Sequence, residues 1–76
     1  MTYARPWLTA LIKEHQYTSV GLAAALGVTR QAIFAWRRGA QTPDRDRVFQ
    51  LADLLGQEVL TQFAAEARAK QSGQVA

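Results

Sequence analysis

Cysteine is absent from the 76-residue sequence, histidine occurs once, proline twice, and no long hydrophobic run is present. Without cysteine there is no disulfide framework and no cysteine-based metal site, which fits a cytoplasmic protein. The single histidine, His15, has no ligand partners in the sequence, so we expect no metal and no cofactor. The apolar stretch at residues 7–12 is interrupted by Thr9 and is too short for a signal-peptide core or a membrane span.

An enzyme is the least favoured class of protein. The chain has one histidine, no cysteine and no paired carboxylate motif at a recognisable cleft. Asp44 and Asp46 are two residues apart on a predicted helix, so their side chains point in different directions. We therefore predict a protein without catalytic activity.

The size and the charge of the chain suggest a single small domain that binds a polyanion. A chain of 76 residues allows one domain with a small core, which dimerisation would help to stabilise. The net charge is +3, and all of this excess falls in residues 29–47, which contain five arginines and two aspartates. A local basic patch of this kind is expected where a protein meets nucleic acid.

Residues 18–39 are predicted to form two short helices joined by a tight turn. Each helix follows a threonine, whose hydroxyl can accept a hydrogen bond from a first-turn N–H group, and each is followed by a glycine, which tolerates positive φ. The predicted helices are Ser19–Leu26 and Arg30–Arg38, with Thr18 and Thr29 as N-caps and Gly27 and Gly39 at the ends.

The second of these helices has an apolar side and a polar side. Ile33 and Trp36 are three residues apart and form an inward stripe. The outward face is predicted to hold Arg30, Gln31, Phe34, Ala35, Arg37 and Arg38. A helix with an apolar inner stripe and an outer face rich in arginine and glutamine suits a DNA major groove.

The stretch LAAALGVTRQAIFAWRRGAQTP resembles the helix-turn-helix of the phage Cro and repressor type, also called the xenobiotic-response-element family. The positions that match the family pattern in order are Leu22, Ala23, Leu26, Gly27, Val28, Thr29, Ala32, Ile33, Trp36 and Gly39. The chain departs from the pattern at four positions. The family often has Gln at Ser19, Ser or Thr at Arg30, a polar residue at Phe34 and Glu near Arg37. The resemblance therefore implies the scaffold but not the base preference.

The predicted contacts with DNA divide into base readers and phosphate contacts. The base-reading candidates are Arg30, Gln31, Phe34 and Ala35, because Arg pairs with guanine, Gln pairs with adenine and apolar groups meet the thymine methyl. For Phe34, packing against a neighbouring subunit or helix is an equal alternative. The predicted phosphate contacts are Ser19, Arg37, Arg38, Gln41, Thr42, Arg45 and Arg47, of which the last four are implied by the resemblance. Arg5 and Lys13 are further, weaker candidates.

Helices are also predicted on both sides of this unit. They run from Pro6 to about His15 or Gln16, from Pro43 to Leu55 with Thr42 as cap, and from Glu58 to about Ala69, after a loose arm at Met1–Arg5. The single domain spans residues 1–70, and residues 71–76 form a frayed tail. Because related domains often pair through their C-terminal region, a homodimer interface including Phe49, Leu60 and Phe63 is predicted. The alternative is that Phe63 only covers the first helix.

The predicted fold class is all-α, a compact five-helix bundle with a helix-turn-helix, as in the lambda-repressor-like DNA-binding domain. The predicted function is a bacterial or phage transcription regulator, a Cro-like repressor that binds a palindromic operator in double-stranded DNA as a dimer in the cytoplasm. Two alternatives stay open. One is an antitoxin-type autoregulator that also binds a toxin or another protein antagonist, and the other is a protein-interaction module without DNA binding.

Overall fold

Five α-helices make up most of the computed structural model, which describes residues 4–74 and the side chains of residues 4–69. The helices are α1 (Pro6–Glu14), α2 (Ser19–Leu26), α3 (Arg30–Arg38), α4 (Arg45–Leu55) and α5 (Glu58–Gln74). No strand occurs in the described part of the chain, and the predicted all-α fold is confirmed. None of these helices is both long enough and apolar enough to cross a membrane.

The ends of α2 and α3 are set by the predicted caps. The hydroxyls of Thr18 and Thr29 accept the backbone N–H groups of Gly21 and Ala32 at 2.9 and 3.1 Å. Glycines with positive φ follow both helices, Gly27 at 71° and Gly39 at 78°. Since a residue with a Cβ is strained in this conformation, the two glycines end the helices at the predicted residues.

The other helices differ from the prediction at their ends. Thr42 was predicted to cap α4 and Pro43 to open it, but α4 begins at Arg45 and Asp44 is its N-cap. Asp44 Oδ1 accepts the N–H of Arg47 at 2.9 Å. A carboxylate at an N-cap gains from the positive end of the helix dipole, which explains why Asp44 rather than Thr42 sets the start.

The last helix is longer than predicted, and the first is slightly shorter. α5 continues past Ala69 to Gln74, a stretch that holds the helix formers Lys70, Gln71 and Gln74 as well as Ser72 and Gly73. Part of the predicted frayed tail is therefore helical, while residues 75–76 lie outside the described residues. The domain boundary at residue 70 stays a prediction. α1 ends at Glu14, and the next two residues form a turn.

The core joins the helix-turn-helix unit to the flanking helices. The buried cluster consists of Leu8, Ile12, Leu22, Ala23, Leu26, Ile33, Trp36, Leu51, Leu55 and Val59. Burying a Leu, Ile or Val side chain contributes roughly 1.5–3 kcal/mol. Each described helix supplies members of this cluster, and within it α1 packs against α3, α4 against α2, and α5 against α4.

Candidate nucleic-acid interface

α3 buries one side and presents the other to solvent. Ile33 and Trp36 lie in the core, as their spacing predicted. Arg30 and Gln31 are exposed in the first turn, directly after the cap residue Thr29. The N-terminal end of α3 therefore offers two long polar side chains that can donate to, or accept from, the edges of bases.

Phe34 and Ala35 were both predicted to face outward, but only Phe34 does. The Phe34 side chain is 41% exposed, whereas Ala35 is 7% exposed. The carbonyl of Ala35 accepts the backbone N–H groups of Ala40 and Gln41 at 2.9 and 3.3 Å, so the chain after α3 turns back onto the end of the helix. The predicted outward position of Ala35 is therefore wrong, and its covered methyl group cannot reach a thymine.

Arg37 connects α3 to α1 and α2. Its Nε donates to Thr9 Oγ1 at 3.1 Å, and a terminal nitrogen donates to Ser19 Oγ at 2.7 Å. The guanidinium carbon also lies 5.6 Å from the centroid of the Phe34 ring, a cation–π distance. The side chain is half-buried, so Arg37 has a structural role beside the phosphate contact predicted for it.

Ser19 keeps the features that suit a phosphate. It is the first residue of α2, where backbone N–H groups and the helix dipole favour an anion. Its hydroxyl accepts from Arg37, and a hydroxyl that accepts one hydrogen bond can still donate another. The arginine also places positive charge beside this helix end.

Three arginines of the basic window are exposed in the structure. Arg30 lies at the start of α3, Arg38 at its end and Arg45 at the start of α4. Long exposed arginine side chains can meet phosphates with little rearrangement. These three residues are the members of the basic window with the most exposed charge.

Arg47, the fifth arginine of the window, is half-buried and contacts α2. One terminal nitrogen donates to the carbonyl of Leu26 at 2.8 Å and to Gln50 Oε1 at the same distance. Leu26 is the last residue of α2, where carbonyls lack helical partners and a cation is favoured by the dipole. Arg47 thus stabilises the end of α2, which the sequence pattern did not indicate.

The loop between α3 and α4 rests on a residue that was predicted to be mobile. Arg5 is 4% exposed, so the expectation of a loose arm is wrong at this residue. Its guanidinium donates to the carbonyl oxygens of Trp36 and Gln41 at 2.6 and 3.0 Å and to Thr42 Oγ1 at 3.0 Å. It also forms an ion pair with Glu66 of α5 at 2.9 Å. Arg5 is therefore a support for the loop and not an exposed phosphate contact.

The sequence gives no signal for this arrangement. Arg5 and Glu66 are 61 residues apart, and no helical or strand spacing relates them. The residues 1–3 of the predicted arm lie outside the described residues. Gln41 and Thr42, the loop residues predicted to contact phosphate, are both exposed.

A family model described as helix-turn-helix matches residues 8–61, more than two thirds of the chain. The chain belongs to the Cro/repressor-type helix-turn-helix family. Members of this family are DNA-binding regulators and are typically not enzymes. No curated protein and no solved structure was found to be significantly similar to the chain.

The three residues predicted to form a dimer interface lie in different surroundings. Phe49 on α4 is 53% exposed. Leu60 and Phe63 are half-buried on α5, and the rings of Phe63 and Trp7 pack nearly perpendicular to each other at a centroid distance of 5.1 Å. Phe63 therefore covers α1, as in the alternative reading of this residue, and its part in a dimer interface stays a prediction.

These residues also border an open groove between α4 and α5. Its walls are formed by Thr42, Pro43, Arg45, Val48, Phe49, Leu60, Phe63, Ala64, Glu66 and Ala67. The side chain of Phe49 stands at this groove without being buried by its own chain. An exposed aromatic ring beside an apolar groove is a feature of surfaces that contact another protein.

Among the described residues, no cluster of histidine and carboxylate side chains is arranged to hold a metal ion. His15 is exposed at the end of α1, away from the buried core. The side chains of the helix-turn-helix unit that are candidates for binding are therefore those of arginine, glutamine, hydroxyl-bearing and aromatic residues.

Proposed function

We propose that this helix-turn-helix regulator is a Cro-like repressor that binds a palindromic operator as a homodimer. The observation that carries the proposal is the first turn of α3, where Arg30 and Gln31 are exposed while Ile33 and Trp36 of the same helix are buried. This arrangement supports entry of the N-terminal end of α3 into the major groove, with Arg30 on guanine and Gln31 on adenine.

Affinity in this proposal comes mainly from phosphates. The exposed Arg38 and Arg45, the first turn of α2 and the loop at Gln41 and Thr42 would hold the DNA backbone on both sides of α3. Each neutralised phosphate releases counterions, so binding weakens steeply as salt rises. The proposed mode of action is repression in the bacterial cytoplasm, by an operator that overlaps the site where polymerase binds.

The dimer is proposed to form through the groove between α4 and α5. Support comes from the exposed Phe49, from the half-buried Leu60 and from the small core of the single chain. A two-fold dimer would present one α3 to each half-site, with the half-site centres about 34 Å apart, one turn of DNA.

Selection of bound sequences from a random duplex pool at near-physiological salt tests the proposal. We expect enrichment of an inverted repeat whose half-sites are centred one turn apart. Enrichment of a single unpaired site would exclude the palindromic dimer. Absence of both enrichment and salt-sensitive binding would exclude the operator-binding function.

A matched pair of variants tests the base reader. Arg30→Ala and Arg68→Ala each remove one exposed positive charge, the first from α3 and the second from α5. We expect Arg30→Ala to relax the preference at one base pair by about 1–3 kcal/mol, the range for a bidentate contact with guanine. Arg68→Ala should keep the selected sequence unchanged. The same selected sequence for both variants would exclude Arg30 as a base reader.

A further inference from the structure

All five N–H donors of the Arg5 guanidinium have acceptors within the chain. A guanidinium has one donor on Nε and two on each terminal nitrogen. Nε donates to Glu66 Oε1 at 2.9 Å, and one terminal nitrogen donates to the carbonyls of Trp36 and Gln41. The other terminal nitrogen donates to Thr42 Oγ1 at 3.0 Å and to Glu66 Oε2 at 3.2 Å. The orientation of this side chain is therefore fixed from every direction in its plane.

These acceptors belong to three separate parts of the fold. Trp36 lies in the last turn of α3, Gln41 and Thr42 lie in the loop that follows, and Glu66 lies on α5. The backbone N–H of Arg5 also donates to the carbonyl of Arg37 at 2.7 Å. Arg5 thus binds two terminal carbonyls of α3, where its positive charge is also favoured by the helix dipole.

Glu66 is the residue that fixes Arg5 on the side opposite the loop. Both carboxylate oxygens of Glu66 accept from the Arg5 guanidinium. The guanidinium carbon of Arg5 also lies 5.1 Å from the centroid of the Phe63 ring. Arg5 is almost completely buried, whereas about a third of the Glu66 side chain is exposed. Loss of the Glu66 charge would leave a buried cation without its counterion, so the guanidinium would shift toward other acceptors or water.

The two loop residues that Arg5 binds are exposed to solvent and still have hydrogen-bond donors available. Thr42 and Gln41 are exposed. Because Thr42 Oγ1 accepts from Arg5, its hydroxyl hydrogen can be donated elsewhere, and the carbonyl contact at Gln41 leaves the amide side chain to donate. Both groups are neutral donors of the kind that contact DNA phosphates.

We infer that Arg5, oriented by Glu66, is the positioning residue of the loop that contacts the DNA backbone. This inference rests on the proposed function and adds a remote determinant to it. The ion pair between Arg5, which directly precedes α1, and Glu66 of α5 sets where Gln41 and Thr42 stand relative to the end of α3, although neither Arg5 nor Glu66 touches DNA.

The test compares Glu66→Gln with Glu58→Gln in the full chain. Both substitutions remove one negative charge from α5 and keep the shape of the side chain. Glu58 is exposed, and the side-chain contact it makes is with Gln62, one turn away on α5, at 3.5 Å. The probe is a labelled random-sequence duplex of roughly two helical turns, about 20 base pairs. Affinity is measured over a range of salt, well below the melting midpoint of every variant, so that the folded population is the same.

We expect Glu66→Gln to bind the duplex roughly tenfold more weakly than Glu58→Gln, a coupling common within one hydrogen-bonded network. We expect the slope of log affinity against log salt to be the same for both variants, because Gln41 and Thr42 are uncharged and the loss of their contacts does not change the number of counterions released. A residue that only stabilised the fold would leave the affinity unchanged at constant folded population. If Glu66→Gln does not fold, Glu66→Asp, which keeps the charge and shortens the reach, carries the same expectation.

The outcomes separate this inference from the proposed function. Salt-sensitive binding by the unmodified protein, with equal affinity of Glu66→Gln and Glu58→Gln for the duplex at every salt concentration, would overturn the positioning role alone. Failure of the unmodified protein to bind the duplex would overturn the DNA-binding proposal and the positioning role with it.

Discussion

Arg37 and Ser19, two positions at which the chain departs from the family pattern, contact each other through a 2.7 Å hydrogen bond. The family often has a glutamate near residue 37 and a glutamine at residue 19. Here the long donor is on α3 and the short acceptor is on α2, and Thr9 of α1 accepts from the same guanidinium. The two departures therefore meet in one contact, in which the guanidinium of Arg37 donates to the hydroxyl of Ser19.

Replacement of Arg37 is expected to destabilise the fold more than replacement of its neighbour Arg38. Arg37→Met loses the charged hydrogen bonds to Thr9 and Ser19, which should lower the free energy of unfolding by roughly 1–3 kcal/mol. Arg38→Met also removes one positive charge, but from an exposed position, and should change the free energy of unfolding by less than about 0.5 kcal/mol. Urea unfolding of both variants measures the difference. Equal loss of stability would contradict the structural role of Arg37.

The helix-turn-helix could be predicted from the sequence because its signals are local. Thr29 and Gly39 act on the nearest turn of the chain, and Ile33 and Trp36 lie on one side of α3 by spacing alone. Such features depend on residues within about one or two helical turns of each other.

Some contacts could not be predicted from the sequence pattern, because they join residues that are far apart in the chain. Arg5 with Glu66 and Arg47 with Leu26 are examples, because tertiary packing brings their partners together. Ala35 shows the same limit on a single helix. Its position on the helical wheel was compatible with exposure, but Ala35 is buried in the folded chain.

Substitutions of Arg45 and Arg47 are expected to affect different properties, DNA affinity for Arg45 and folding stability for Arg47. Arg47→Met loses the hydrogen bond to the end of α2 and should lower the free energy of unfolding by roughly 1–3 kcal/mol. Arg45→Met removes an exposed charge and should instead lower the slope of log affinity against log salt by about one. Chemical unfolding and duplex binding are measured on both variants. A change of slope for Arg47→Met as large as that for Arg45→Met would place Arg47 at a phosphate after all.

Phe49 is expected to determine the oligomeric state. Phe49→Asp puts a carboxylate at the groove, and burying it in a dimer without a partner charge is unfavourable, so dimerisation should weaken by at least roughly tenfold. Val20→Asp is the matched control, because Val20 on α2 is 57% exposed and Phe49 is 53% exposed. Sedimentation equilibrium over a range of concentrations gives the association constant. An unchanged constant for Phe49→Asp would exclude this groove as the interface.

Phe34 is expected to read a thymine methyl group. The ring is partly exposed on α3, and the nearby Arg37 guanidinium restricts its orientation. Deoxyuridine lacks that methyl group, so its substitution for the contacted thymine in a selected operator should weaken binding by about 0.8 kcal/mol, roughly fourfold. In the variant Phe34→Ala the same DNA change should have no effect, since the apolar partner is already gone. Binding of both proteins to both duplexes gives the coupling directly. If the deoxyuridine effect is the same in both proteins while Phe34→Ala weakens dimerisation, the ring packs against a second subunit and does not contact the base.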